Sequence, residues 1–430
     1  MTFSLLILAF LATFISTASN NELVYASYDS IHDLNRQEIE VVNNLVKSLP
    51  NNDSAYYLLG QVYNQHGDTA SAIKNWKKCL SLNAKHSDAY INLGLSAAQA
   101  GDFQKAVGFY HQAIDIKPNQ ANSHNYLALA LISLGRFSSA IDELTTSIEI
   151  SPNSSKSVYE LGRAYFLAER YQEAKIRYEL AIALNPVYTP AYYGLATTCS
   201  RLGLLDQSKA HLELFGRLKA EDLKNQVNQI RDFDDLALVR KKAANTFSQA
   251  ATIYSVAGKM GQAKNCWEKA TKLDTSNQPA RLQLMLLYKT EGDIEQAIEI
   301  CYELTQIEPG SVEHHLNFGL LLIKLDQFTL AESAFQKAIA IAPKLAAGYR
   351  ELAELYLHTN HNLAEAMNLA ETAVRLESKA PNYYILAWAC EANHELHQAL
   401  DALDQAMKLI PGDEKYQRMY DFIKQKISTP

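Results

Sequence analysis

Histidines and cysteines are the residues of this chain best suited to chemistry, and their spacing rules most of that chemistry out. His394-Glu395-Leu396-His397 brings two imidazoles and a carboxylate together, the residue types of a hydrolytic zinc site. That chemistry needs histidines four apart on a helix so that both face one metal. Here they are three apart and fall where a turn is expected, so a solvated loop is the reading. His314-His315 is adjacent rather than spaced, and His315 takes a large-residue packing position. The five cysteines form no Cys-x-x-Cys pair and no disulfide framework. Cys79, Cys199, Cys301 and Cys390 fall at recurring apolar positions where a thiol serves as a small hydrophobe, and Cys266 is the most peripheral. No Gly-rich phosphate loop and no nucleophile elbow occurs. No catalytic, cofactor or metal residues are therefore expected, and function is expected on a surface.

The elements that build that surface are best seen in Val158–Pro186, VYELGRAYFLAERYQEAKIRYELAIALNP, two short amphipathic helices back to back. Small residues (Gly162, Ala174, Ala181) sit where the helices must approach closely, and Leu161, Tyr165 and Tyr178 fill the space beside them. Neither helix hides its apolar face alone, so such a pair is stable only when stacked on copies of itself.

The copies are present. Stepping from Gly162 by about 34 residues gives Gly60, Gly94, Ala128, Gly162 and Ala196, then Ala251, Met285, Gly319, Ala353 and Ala387. All but Met285 are Gly or Ala. A second small column follows at Ala72, Ala106, Ala140, Ala174, Ala263, Ala297, Ala331 and Ala399, with Ser208 as a lapse. A third holds Cys79, Ala113, Ser147, Ala181, Ala270, Ala338 and Ala406, with Phe215 and Leu304 as exceptions. Pro118, Pro152, Pro186, Pro309, Pro343 and Pro411 close six of the repeats, because proline cannot continue a helix interior. Large residues also keep register, at Tyr56, Tyr192, Phe247, Tyr349 and Tyr383, and again at Trp76, Tyr110, Tyr178, Trp267 and Phe335.

This helix–turn–helix period and its small/large code resemble the tetratricopeptide repeat family. The resemblance covers ten repeats over roughly Asp53–Asp413. It implies an all-α fold, an α-solenoid wound as a right-handed superhelix in two five-repeat halves. It implies protein binding rather than catalysis, and the stretch Glu414–Pro430 leaves no room here for an appended catalytic domain.

The organisation expected along the chain follows. Residues 1–18 contain an almost wholly apolar run, Thr2–Ile15, ahead of Ser16-Thr17-Ala18. This reads as a secretory signal, with an uncleaved N-terminal anchor as the alternative. Residues 19–52 are a polar segment and an N-terminal capping helix, Gln37–Leu49. Repeats 1–5 occupy 53–222, an extended-helix junction 223–243, repeats 6–10 244–413, and a C-terminal capping helix 414–430. The register breaks between Ala196 and Ala251, where a long helix from Leu205 to about Ile230 and a turn at Arg231–Asp235 are expected. A one-residue slip is expected in the His358–Leu363 turn of the ninth repeat. The net charge of −7 at pH 7 lacks the basic footprint of a nucleic-acid binder.

In the family resembled, the first helix of each repeat lines a concave groove. Residues three or four apart share a helix face, which places positions −6, −3, +1, +4 and +5 from the marker in that groove. The candidates are Tyr57, Gln61, Asn125, Tyr159, Arg163, Phe166 and Tyr193 in the first half, and Lys289, Lys324, Arg350, Tyr384 and Trp388 in the second. Tyr, Trp and Arg are the side chains that most often anchor protein partners. Lys289, Lys324 and Arg350 come from successive repeats and could present positive charge to a peptide carboxylate. The expected activity is that of a non-catalytic scaffold outside the cytoplasm, binding a peptide or helix of a partner. The alternative is an accessory subunit of an envelope enzyme complex.

Overall fold

The computed structural model describes residues 30–231 and 235–428. The apolar run Thr2–Ile15, residues 19–29 and most of the Arg231–Asp235 turn lie outside them. All regular structure among the described residues is helical.

Helix α1 spans residues 30–48, longer than the expected Gln37–Leu49. It reaches back through Leu34 because Leu34, Glu38, Val42 and Leu45 form one buried stripe at helical spacing. The repeats follow as helix pairs: α2 (Asp53–Gln65) with α3 (Thr69–Leu82), α4 (Ser87–Gln99) with α5 (Phe103–Ile116), α6 (Ala121–Ser133) with α7 (Phe137–Ile150), α8 (Ser155–Leu167) with α9 (Tyr171–Leu184), and α10 (Thr189–Arg201) with the long α11 (Leu205–Arg231). Then come α12 (Asp235–Val256), α13 (Met260–Leu273), α14 (Gln278–Glu291) with α15 (Ile294–Ile307), and α16 (Val312–Ile323) with α17 (Phe328–Ile341). The last are α18 (Ala346–His358) with α19 (Leu363–Leu376), α20 (Ala380–Ala392) with α21 (Leu396–Leu409), and the closing α22 (Glu414–Ser428).

Local chemistry sets the boundaries. Asn52, Asp68, Asp102, Asp293 and Ser311 each accept a hydrogen bond from a first-turn backbone N–H of the helix they precede, a cap that contributes about 1 kcal/mol. Between the two helices of every repeat the chain turns through a left-handed residue, always seven past the marker. Six of these are glycines, from Gly67 to Gly292, and the other four are Glu169, Asp326, Asn360 and His394. His394 is therefore the turn residue of the tenth repeat and is exposed, as the solvated-loop reading expects. The extra residue of the ninth repeat appears as Asn362, a second left-handed residue at the start of α19.

Inside all but one of the pairs the position facing the marker on the second helix holds an aromatic residue or Leu. A Cβ on Gly60 would lie 2.4 Å from the Trp76 ring, on Gly94 2.4 Å from Tyr110, on Gly162 2.9 Å from Tyr178 and on Gly319 2.4 Å from Phe335. At the alanine markers Ala128, Ala353 and Ala387 the facing column holds the smaller Leu144, Leu369 and Leu403, all buried, whereas the repeat of Ala251 keeps the large Trp267, also buried. Met285, the exception in the marker column, is matched by the small Cys301, which is fully buried. Ser208 lapses from the alanine column at little cost because its hydroxyl donates to the Ala196 carbonyl at 2.8 Å.

Two compact units result, one ending at Ala263 and the other starting at Lys264, inside α13. The division falls later than the sequence pattern places the junction, because α12 packs on α2 within the first unit. There the buried Glu38 carboxylate of α1 meets His66 Nε2 at 3.0 Å and accepts from the Thr246 hydroxyl of α12. Lys259 Nζ also donates to the Ser48 carbonyl at 3.1 Å. At the other end of the five pairs, α11 leaves Leu205, Leu212 and Leu223 exposed.

Candidate functional site

The first helices α4, α6, α8 and α10 touch in succession, so the side chains they project between those contacts form one lining. In the first compact unit most of the candidates are only half-buried. The Tyr57 hydroxyl accepts from Asn92 Nδ2 at 3.2 Å and Gln61 Nε2 at 3.1 Å. Burial, with Asp88 nearby, pushes the Tyr57 phenol up to about 12. Asn125 Nδ2 donates to the Ser157 hydroxyl of the next first helix at 2.9 Å. The bonds from Asn92 and Asn125 tie neighbouring repeats together across the lining.

Tyr159 is held between two rings, 5.7 Å from Tyr178 and 5.4 Å from Tyr188. Arg163 pairs with Glu160 at 2.8 Å, yet burial raises the Glu160 carboxyl above its ordinary value, against the pull of Arg163. Phe166 meets Tyr171 edge-on at 5.5 Å. Tyr193 stands apart from these. It lies 5.3 Å from Phe215 but keeps 52% of its surface exposed.

In the second compact unit Lys289 and Lys324 are exposed, Lys324 capping the C-terminal end of α16. Arg350 is paired through Nη2 with Glu351 at 2.5 Å, so of the positive row expected from these three residues only Lys289 and Lys324 lack an ion pair among the described residues. Trp388 meets His358 edge-on at 4.7 Å. Lys415 sits 3.9 Å over the Tyr384 ring, which also packs on Tyr416 at 5.5 Å. The closing helix therefore covers the Tyr384 position.

Asn92, Tyr188 and Lys415 take part in these arrangements although the groove periodicity does not select them. Asn92 lies one position off the −3 column, Tyr188 precedes its helix, and Lys415 comes from the capping helix. All five cysteines are buried, including Cys266, which is not peripheral. Burial pushes the Cys79 and Cys301 thiols up to about 12 and those of Cys266 and Cys390 to about 11, so none is poised as a nucleophile. His315 is buried and its Nε2 lies 3.1 Å from the Pro309 carbonyl, a packing role.

Tetratricopeptide repeat family models match residues 57–121, 97–163, 155–188 and 314–345. The anaphase-promoting complex subunit CDC16 of Saccharomyces cerevisiae is 28% identical over 125 residues, which are 29% of this chain and 15% of that protein. Among solved structures, MamA from Desulfovibrio magneticus RS-1 is 18% identical with a TM-score of 0.38, covering 39% of this chain and 96% of that one. Yeast Tom70 is 18% identical with a TM-score of 0.35, covering 87% of this chain and 96% of that one. The matched stretches coincide with the helix pairs described above, and the same pairing, with its left-handed turn residue, continues through all ten markers. Over residues 57–188 and 314–345 the chain is made of tetratricopeptide repeats.

Proposed function

We propose that this protein is a non-catalytic scaffold that holds an extended peptide or a helix of a partner protein against the lining of its first helices. A protein-interaction scaffold is the role common to such repeats, and the finer reading rests on one observation. Among the first-helix positions that repeat packing leaves exposed are Tyr193 in the first compact unit, along with the aliphatic Leu167 and Val256, and Lys289 and Lys324 in the second, along with Leu286 and Leu320. A half-exposed ring beside a second ring offers the apolar area and polar tip that anchor a partner.

The apolar run at residues 2–15 supports export from the cytoplasm, where the partner would also lie. Among the described residues no helix is long and apolar enough to cross a membrane. Affinity capture from the envelope fraction with wild type, a Tyr193→Ala/Arg163→Ala variant and an Ile176→Ala control tests the reading. Ile176 is an exposed residue of a second helix. Capture that survives in the control and is lost in the double variant is expected. Equal capture by all three would remove the groove as the binding surface.

A further inference from the structure

Three side chains of metal-ligating type meet at the junction of the first two repeats. Asp53 opens α2, Cys79 lies in the last turn of α3, and His86 is the residue before α4. A carboxylate oxygen, the thiol sulfur and an imidazole nitrogen all lie within 4.8 Å of one another. The chain supplies its own comparison. In the next three repeats the position of Cys79 holds Ala113, Ser147 and Ala181, that of His86 holds Gln120, Ser154 and Tyr188, and that of Asp53 holds Ser87, Ala121 and Ser155. Packing asks only for a small residue at the first position, and the other two tolerate residues that bind no metal. At this junction all three are replaced by donors at once.

The surroundings hold the donors in place. Asn83 Nδ2 donates to Asp53 Oδ2 at 2.7 Å and fixes the carboxylate. The Tyr57 ring lies against the His86 ring with centroids 4.5 Å apart. His86 Nδ1 accepts from the Ala89 N–H at 3.3 Å, but that N–H also donates to the His86 carbonyl at 3.2 Å. The imidazole can therefore present a nitrogen to an ion without orphaning a backbone group. Such outer contacts are what orient the ligands of a metal site.

We propose that Asp53, Cys79 and His86 form a site for a divalent cation of the zinc class. A mixed sulfur, nitrogen and oxygen set suits that borderline-soft ion, in tetrahedral geometry with the fourth position left to water. Bonds of roughly 2.0–2.3 Å place tetrahedral donors about 3.2–3.8 Å apart, so the side chains close in by about 1 Å on loading. The ion enters through the half-exposed Asp53 and His86, since Cys79 is fully buried. Binding replaces the Cys79 S–H bond with an S–metal bond, and the proton leaves to solvent. The ion then joins α2, α3 and α4, and so locks two repeats together.

Titration of the full chain with cobalt(II) tests this directly. One equivalent is expected to produce a thiolate-to-metal charge-transfer band in the near ultraviolet with tetrahedral d–d bands, to release one proton, and to be displaced by zinc. Cys79→Ala, which installs the residue of the next repeat, should keep the fold and abolish the band. His86→Asn, which can still cap α4, should weaken binding at least tenfold, whereas Cys301→Ala should leave it unchanged. Absence of a charge-transfer band in the wild type would overturn the proposal. So would an undiminished band in folded Cys79→Ala, which would show adventitious cobalt at another thiol.

Discussion

Glu38 accepts a hydrogen bond from the Thr246 hydroxyl although 208 residues separate the two along the chain. The carboxylate is almost wholly buried and its other oxygen meets His66 Nε2 at 3.0 Å, so one acid joins α1, the end of α2 and α12. The solenoid's first helix pair is thereby fastened to the first helix of its sixth repeat. Hydrogen bonds to a charged group are stronger than neutral ones, and a buried charge that loses a partner is costly.

Thr246→Val keeps the shape and removes the donor. A loss of about 1–3 kcal/mol is expected, with faster amide hydrogen exchange in residues 30–48. In a double-mutant cycle with Glu38→Gln the two changes should be non-additive. Strict additivity in chemical denaturation would mean the pair does not interact in solution.

The marker glycines are set by the ring opposite. Gly94→Ala would put a methyl 2.4 Å from Tyr110, and overpacking of this kind costs about 1–3 kcal/mol. Gly162→Leu should be worse and destabilise the neighbouring repeats with it, since each packs only on its neighbours. Because Ala128 faces Leu144, the pair Gly94→Ala/Tyr110→Leu should recover much of the loss. Urea midpoints of the single and double variants measure this, and a single variant as stable as wild type would contradict the register.

Four of the turn residues adopt a left-handed conformation without being glycine. For an ordinary side chain this costs roughly 1–2 kcal/mol, partly offset by the extra entropy glycine brings to the unfolded chain. Glu169→Gly should therefore raise the melting temperature, and Asp326→Gly and Asn360→Gly should do so less, since Asp and Asn tolerate the conformation better. A fall on Glu169→Gly would show that its side chain makes a contact outweighing the strain.

Buried thiols make the fold sensitive to alkali. Desolvation raises Cys301 from 9.0 to about 12 and Cys266 and Cys390 to about 11. The folded state thus keeps protons that the unfolded chain gives up. Stability from this source is intact below about pH 9 and falls as the pH rises through 11 and 12. Melting temperatures measured from pH 8 to 11 should decline above 9, and Cys301→Ala should flatten the curve. Cys266, Cys301 and Cys390 of the native protein should also resist alkylating reagents below pH 9.

The repeat was legible in the sequence because its cause is local. A helix pair with small residues at the crossing, large ones beside it and proline after it repeats the same steric solution, and each copy is written in about 34 consecutive residues. The matching of Gly to Trp76, Tyr110, Tyr178 and Phe335, and of Met285 to Cys301, can be read from two columns within each copy. The turn column is only partly visible, since Glu169, Asp326, Asn360 and His394 conceal a conformation that glycine shows openly elsewhere. Individual groove residues were harder to rank. Periodicity selects Tyr159 and Tyr193 equally, whereas neighbouring rings enclose one and leave the other half in solvent.

Tertiary structure alone decided what distant parts of the chain do to one another. No local pattern brings Glu38 to Thr246 or Lys259 to Ser48, because such pairs depend on the accumulated geometry of five stacked repeats, to which every crossing contributes. The meeting of Asp53, Cys79 and His86 has the same origin on a smaller scale, since three helix ends converge only once α2, α3 and α4 have packed. Sequence determined the helices and their pairing, through sterics acting over a few turns. Stacking determined which side chains meet, through contacts whose partners are far apart along the chain.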